Sequence, residues 1–119
     1  FVDDENVLAE IGKDILEELG YTVIAMSSSV NALEVFRAKP DGIDLVITDM
    51  TMPGMTGAEL AGEILKIRRD IPIILCTGFS EVITEGEAKR MGIREFLMKP
   101  LTLRDIATAA RRALDRKED

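Results

Sequence analysis

Histidine does not occur anywhere in the 119 residues. That absence excludes a Ser-His-Asp triad, a histidine-based zinc site and any self-phosphorylating histidine within the chain. Cysteine occurs once, as Cys76 inside the apolar run Ile73-Ile74-Leu75-Cys76, so no internal disulfide can form, a reducing compartment is favoured, and Cys76 reads as a small buried hydrophobe. No apolar run approaches the length that crosses a membrane, and no secretory signal opens the chain. Neither a Gly-x-Gly-x-x-Gly turn nor a Walker loop follows any apolar run, which removes the common nucleotide-binding signatures. Positive charge is in short supply, with 15 Lys and Arg against 22 Asp and Glu for a formal net charge of −7. Nonspecific nucleic-acid binding needs clustered cations, so a protein or a cation is the expected partner.

What is present describes one folded unit. Hydrophobic residues make up 46% and charged residues 31%, spread along a length that fits a single domain over residues 1–119. The opening Phe1-Val2-Asp3-Asp4 reads as the tail of a strand cut short at its amino end. Short apolar runs rich in Val, Ile and Thr alternate with stretches of helical spacing, which implies parallel βαβ units. The strand candidates are Phe1-Val2, Tyr21-Met26, Ile43-Thr48, Pro72-Thr77 and Arg94-Met98, and the middle ones lack a polar face, as strands covered by helices on both sides do. Three helical stripes stand between or after them: Leu8, Ile11, Ile15 and Leu19; Leu60, Ile64 and Ile67; Leu103, Ile106, Ala110 and Ala113. Gly20 and Gly92 fall where helix ends need positive φ, and Thr56 and Glu59 have capping-box spacing. A fourth helix, roughly Ser80 to Met91, carries Gly86, which costs about 1 kcal/mol relative to Ala and marks this helix as the weakest and most mobile. The charged run Asp115-Arg116-Lys117-Glu118-Asp119 reads as a fraying helix end or the start of a linker.

In an open parallel sheet, sites form at the carboxyl ends of the strands. Here those ends carry Asp3-Asp4, Asp49, Thr77-Gly78 and Lys99-Pro100, and right-handed crossovers gather them on one edge. Three neighbouring carboxylates repel one another unless a cation sits among them, and oxygen-only donors with room for water and phosphate suit Mg²⁺ better than zinc or an all-protein calcium cage. With its charge screened, Asp49 can attack phosphorus to form an acyl phosphate while Thr77 and Lys99 hold the equatorial oxygens. Taken singly, each residue has a plainer reading. Asp3-Asp4 could cap a helix, Asp49 could be a turn residue ahead of Pro53-Gly54, Thr77 a strand residue and Lys99 a solvated side chain. Their joint placement at strand ends favours the site. Met50, Met52 and Met55 suit packing of the loop, because thioethers prefer soft ions and the acids around them do not.

Asp3-Asp4-Glu5, the run from Asp49-Met50-Thr51-Met52-Pro53 to Gly57, Thr77-Gly78 and Lys99-Pro100, each behind an expected strand, together resemble the response regulator receiver domains (CheY-like) of bacterial two-component systems. The resemblance spans essentially the whole chain. It implies a doubly wound, flavodoxin-like three-layer α/β sandwich with five helices and a five-stranded parallel sheet of order 2-1-3-4-5. Asp49 would be the phospho-acceptor, with Mg²⁺ (or Mn²⁺) bound by Asp4, Asp49 and the backbone carbonyl of Thr51, and Asp3 acting through a water. Thr77 and Phe96 would be switch residues, Lys99 would pair with the phosphoryl group, and the peptide to Pro100 would be cis. Phe96 in an apolar strand would otherwise read as core. Thr51 and Phe79 would border the path of hydrolytic water, with Phe79 shielding the acyl phosphate.

The implied donor is a histidine kinase or histidine phosphotransfer domain, and the implied output surface is the face of helix four, strand five and helix five (α4-β5-α5), read by a downstream protein. The runs Leu75 to Glu81 and Phe96 to Leu101 look most like receivers at the end of hybrid sensor histidine kinases. Such a receiver is cytoplasmic and reaches a membrane only through its parent protein; catalysis is confined to its own phosphorylation and dephosphorylation. The alternatives are an ordinary response regulator without its effector domain and a receiver-like interaction module that works without phosphate. A haloacid-dehalogenase-type phosphatase needs a second aspartate two residues past the first, and Thr51 stands there.

Overall fold

The computed structural model describes residues 1–78 and 84–115. Five helices surround a parallel sheet: α1 (Asn6–Glu18), α2 (Ser29–Ala38), β1 (Val46–Asp49), α3 (Gly57–Ile67), β2 (Ile73–Thr77), α4 (Glu85–Met91), β3 (Glu95–Met98) and α5 (Leu103–Asp115), with a 3₁₀ turn at Pro40–Gly42. β1 pairs with β2 in the register Val46↔Ile73 to Asp49↔Cys76, and β2 with β3 from Ile74↔Glu95 to Thr77↔Met98. Val2 bridges Thr48 on one side and Met26 on the other, both in parallel. The lateral order is therefore Met26, Val2, β1, β2, β3, which is 2-1-3-4-5 when the two bridging segments are counted as the first and second strands. The fold is the expected CheY-like, flavodoxin-type doubly wound sheet.

Alternation along the strands builds two cores. Val46, Ile73 and Leu75 face α2, α3 and α4, packing with Leu33, Phe36, Leu60, Ala61, Ile64 and Ala88. Ile47, Ile74 and Cys76 face α1 and α5, packing with Leu16, Ile106, Ala109, Ala110 and Ala113. All five β2 residues are buried, as a strand covered on both faces requires.

Four expectations need correction. Phe1-Val2 and Tyr21-Met26 do not form full strands. The pairing between them consists of the bonds Phe1 N–H to Ile24 O, Met26 N–H to Phe1 O and Asp3 N–H to Met26 O. The stripe of α1 is Ala9, Gly12 and Leu16, whereas Ile11 and Leu19 are 48% and 44% exposed. Small residues win that face because the Phe1 ring lies against it, and a Cβ on Gly12 would come within 2.5 Å of the ring. Leu103 and Ile67 likewise sit on the outer side of their helices, and Ala109 takes the inner place on α5. Finally, α4 starts after Thr84, whose hydroxyl accepts from Glu87 N–H in a capping box, rather than at Ser80; residues 80–83 and Phe79 lie outside the described residues. The Thr56 and Glu59 capping box on α3, and positive φ at Gly20 (99°) and Gly92 (103°), are found where expected. Among the described residues, no helix is long and apolar enough to cross a membrane.

Candidate functional site

The carboxyl edge of the sheet brings together Asp3, Asp4, Asp49 and Lys99. Asp49 is the last residue of β1, and its N–H donates to Val2 O at 2.9 Å, tying the acceptor strand to the segment that carries Asp3 and Asp4. One carboxylate oxygen from each of the three aspartates lies within 4.8 Å of the others. Asp3 and Asp49 are buried and Asp4 is exposed, so the group opens to solvent on one side. Asp3 Oδ1 accepts from Glu5 N–H at 3.0 Å, which makes it a helix-entry residue as well as a member of the cluster.

Lys99 follows β3, which β2 separates from β1, and its ammonium lies 2.8 Å from Asp49 Oδ1 and 3.4 Å from Asp3 Oδ2. The peptide to Pro100 is cis. Burial raises the pKa of Asp49, and it outweighs the hydrogen bond and charge of Lys99, which pull it down; the charge of Asp3 adds to the rise. Burial works against the Lys99 ammonium, yet its hydrogen bond to Asp49 and the charges of Asp49 and Asp3 leave its pKa raised. One cation thus partly compensates a cluster that still carries excess negative charge. All-oxygen donors with that residual charge fit a hard divalent cation.

Thr77 is also at this edge, fully buried at the end of β2, but its hydroxyl donates to Gly78 O at 3.4 Å and not to the carboxylates. Thr51 is exposed two residues past Asp49. Phe96 is half-buried and packs against the core on the α3 and α4 side. Met50 and Met52 are buried in that same core and Met55 packs on it, so the methionines of the loop are packing residues.

Two residues next to Asp49 were not singled out by the sequence. The Thr48 hydroxyl donates to Asp49 O at 3.0 Å, and Gly57 lies so close to that oxygen that no side chain fits there. A threonine inside a strand gives no signal in the sequence. Gly57 gives one: a helix whose first residue is glycine just after its cap invites the question of what approaches it.

A sequence model described as the response regulator receiver domain matches residues 1–111. The chain belongs to that family. This receiver domain of two-component systems is 34% identical over 116 residues to the C4-dicarboxylate transport transcriptional regulatory protein DctD of Rhizobium meliloti (strain 1021), covering 98% of this chain and 25% of that protein. It is 32% identical over 117 residues to the sensor kinase CckA of Brucella abortus (strain 2308), covering 98% of this chain and 12% of the kinase. The chain therefore spans a quarter or less of these relatives. Among solved structures, the receiver domain is similar to a response regulator receiver domain protein from Clostridium thermocellum, with a TM-score of 0.92, 36% identity and coverage of 97% and 91% of the two chains. The receiver domain of NtrX from Brucella abortus matches with a TM-score of 0.87 and 26% identity over 98% and 97%.

Proposed function

We propose that this receiver accepts a phosphoryl group on Asp49 from the phosphohistidine of a histidine kinase or a histidine phosphotransfer domain. The observation that carries the reading is the convergence of Asp3, Asp4 and Asp49 on one edge, with Lys99 bonded to the acceptor carboxylate. Asp3, Asp4 and Asp49, with the Thr51 backbone carbonyl, would hold Mg²⁺ or Mn²⁺, Asp3 acting through a water; the bound ion supplies charge neutralisation to the carboxylates and to the incoming phosphoryl oxygens.

The chain's own residues carry the rest. An Asp49 carboxylate oxygen forms a bond to phosphorus as the donor's P–N bond breaks, and the imidazole leaves with the electron pair and takes up a proton. Lys99 exchanges its bond to Asp49 for one to a phosphoryl oxygen, where an ammionium-to-phosphate contact is charge-assisted. Thr77, whose long bond to Gly78 O is a weak restraint, turns its hydroxyl to the phosphoryl group, and Phe96 turns inward behind it. The face of α4, β3 and α5 then presents a changed surface to a downstream protein. Val7 and Leu8, exposed on the first turn of α1 just after the acidic run, offer apolar surface to a docking donor. Nucleic-acid binding and membrane insertion form no part of this activity, and slow hydrolysis of the acyl phosphate resets the domain in the cytoplasm.

The whole domain, residues 1–119, works as one unit. Its parent is a hybrid sensor histidine kinase, a reading favoured by likeness to a sensor kinase; likeness to transcriptional regulators favours the second reading, a response regulator with an effector domain. Intact mass after incubation with acetyl phosphate, with and without Mg²⁺, tests the central claim. A Mg²⁺-dependent gain of one phosphoryl group that is lost in Asp49→Asn supports it. If neither acetyl phosphate nor a phosphohistidine donor gives an adduct, a phosphate-independent interaction module replaces it.

A further inference from the structure

We propose that Thr48 and Gly57 are positioning residues that clamp the main chain of Asp49 and so fix its carboxylate for metal binding and phosphoryl transfer; the proposal rests on Asp49 being the phospho-acceptor. Asp49 N–H is held by Val2 O at 2.9 Å, and Met50 N–H by Cys76 O at 2.8 Å, so both peptide groups flanking Asp49 are tied to neighbouring segments through their N–H. The Asp49 carbonyl stands past the last rung on the Val2 side, where the chain of Asp3 turns away into α1. Its hydrogen-bond partner is a side chain, the Thr48 hydroxyl at 3.0 Å. Thr48 is fully buried, so no water competes for that bond.

On the same oxygen presses the first residue of α3. Gly57 N–H donates to Met50 O at 2.8 Å, which draws the helix start onto the acceptor loop. A Cβ at position 57 would overlap Asp49 O and stand 2.9 Å both from the Asp49 carbonyl carbon and from Leu75 Cδ1. The carbonyl, the following peptide and the buried Leu75 leave it no room, and backbone cannot give way as a flexible side chain can. Thr48 thus holds the carbonyl from one side, and the bare Cα of Gly57 lets α3 close on it from the other.

The consequence falls on the carboxylate. Asp49 has two side-chain torsions, and its oxygens must meet Lys99, Asp3 and Asp4 together. Rotation of its peptide swings the Cα–Cβ bond and moves all those distances at once. A misplacement near 1 Å at a reacting centre costs about a hundredfold in rate.

The test uses Thr48→Val, which keeps the shape and removes the hydroxyl, Thr48→Ser, which restores it, and Gly57→Ala. Mg²⁺ affinity by calorimetry, the limiting rate of phosphorylation by acetyl phosphate, and the urea midpoint are measured for each. Thr48→Val is expected to weaken Mg²⁺ binding severalfold and slow phosphorylation roughly tenfold, Thr48→Ser to recover both to near wild type, and Gly57→Ala to slow it about a hundredfold. If Gly57→Ala does not fold, the Thr48 pair decides alone. Wild-type Mg²⁺ affinity and rate in Thr48→Val, or equal losses in Thr48→Val and Thr48→Ser, overturn the clamp. Failure of the wild type itself to gain a phosphoryl group is a different result, because it removes the acceptor reading beneath the proposal.

Discussion

The Lys99 ammonium bridges Asp49, at 2.8 Å, and Asp3, at 3.4 Å, so a single cation answers two of three clustered carboxylates. The compensation is incomplete, since the Asp49 pKa stays raised, with burial as its main cause. A carboxyl group whose pKa is higher in the folded than in the unfolded chain penalises folding when ionised, and the penalty disappears as pH falls through the folded pKa toward the unfolded value. Without Mg²⁺ at pH 7, Asp49→Asn is therefore expected to have a higher urea midpoint than the wild type, with a gap that closes on acidification toward pH 4. Adding Mg²⁺ reverses the order, because ligand at about 100 times its Kd stabilises the binding-competent protein by about 2.7 kcal/mol. A gap that widens on acidification would contradict the assigned cause.

Much of the site could be read from the sequence because parallel βαβ topology forces it. Once Asp3, Asp49, Thr77 and Lys99 each follow an apolar run, the crossover rule puts them on one edge without knowledge of side-chain contacts. Two of the reciprocal helix caps make the contrast. The Thr56 and Glu59 spacing marks the start of α3, and the identical spacing of Thr84 and Glu87 stands in the sequence too and marks a start for α4 beyond the expected Ser80. The inner face of α1 was hidden for a different reason. Gly12 is set by the space that Phe1 leaves, Ala9 is buried on the same side, and hydrophobic periodicity weights large side chains over small ones. Thr48 is invisible to any pattern, since its role is a single hydrogen bond to the next residue.

Cys76 sits on the strand beside the acceptor, paired with Asp49 in register, yet it is 2% exposed and faces the α1 and α5 core. Burial, with the Asp49 charge adding to it, pushes its thiol up to about 12. Alkylation requires thiolate, so a rise of that size cuts reactivity at pH 8 by about a thousandfold, before access is counted. Iodoacetamide is expected to leave the native chain unmodified over an hour and to label it fully in concentrated urea, as read by intact mass. Equal labelling rates in the two conditions would show that the α1 and α5 core opens.

Ser29, at the first residue of α2, is 2% exposed, and its hydroxyl has no hydrogen-bond partner among the described residues. The cap of this helix is supplied by its neighbour Ser28, which accepts from Asn31 N–H at 3.2 Å. Ser29 therefore bears the cost of desolvation without the return that capping gives. Ser29→Ala removes the oxygen and is expected to stabilise the fold by about 1 kcal/mol. Ser28→Ala, in contrast, is expected to destabilise it by about 1 kcal/mol. Urea titration of both variants checks the pair, and a loss of stability in Ser29→Ala would mean that its hydroxyl is satisfied in solution.

On the edge strand, Glu95 is buried while Arg112 of α5 brings Nε and Nη2 to the same carboxylate oxygen, at 3.0 and 2.9 Å. The pair joins β3 to α5, on the face proposed to meet a downstream partner. Removing the guanidinium takes two charge-assisted contacts from a largely buried carboxylate, whereas with an apolar residue at position 95 there is no carboxylate for Arg112 to pair with. Arg112→Ala is thus expected to cost about 1 to 3 kcal/mol, and Arg112→Lys to recover only part of it, because a lysine cannot offer two N–H groups in a fixed plane. In a Glu95→Met background the same Arg112→Ala change is expected to cost well under half as much. Urea-derived stabilities for the four proteins of this cycle give the coupling directly. If Arg112→Ala costs the same with Met at position 95, Arg112 stabilises the domain by packing its stem along α5, and the ion pair contributes nothing.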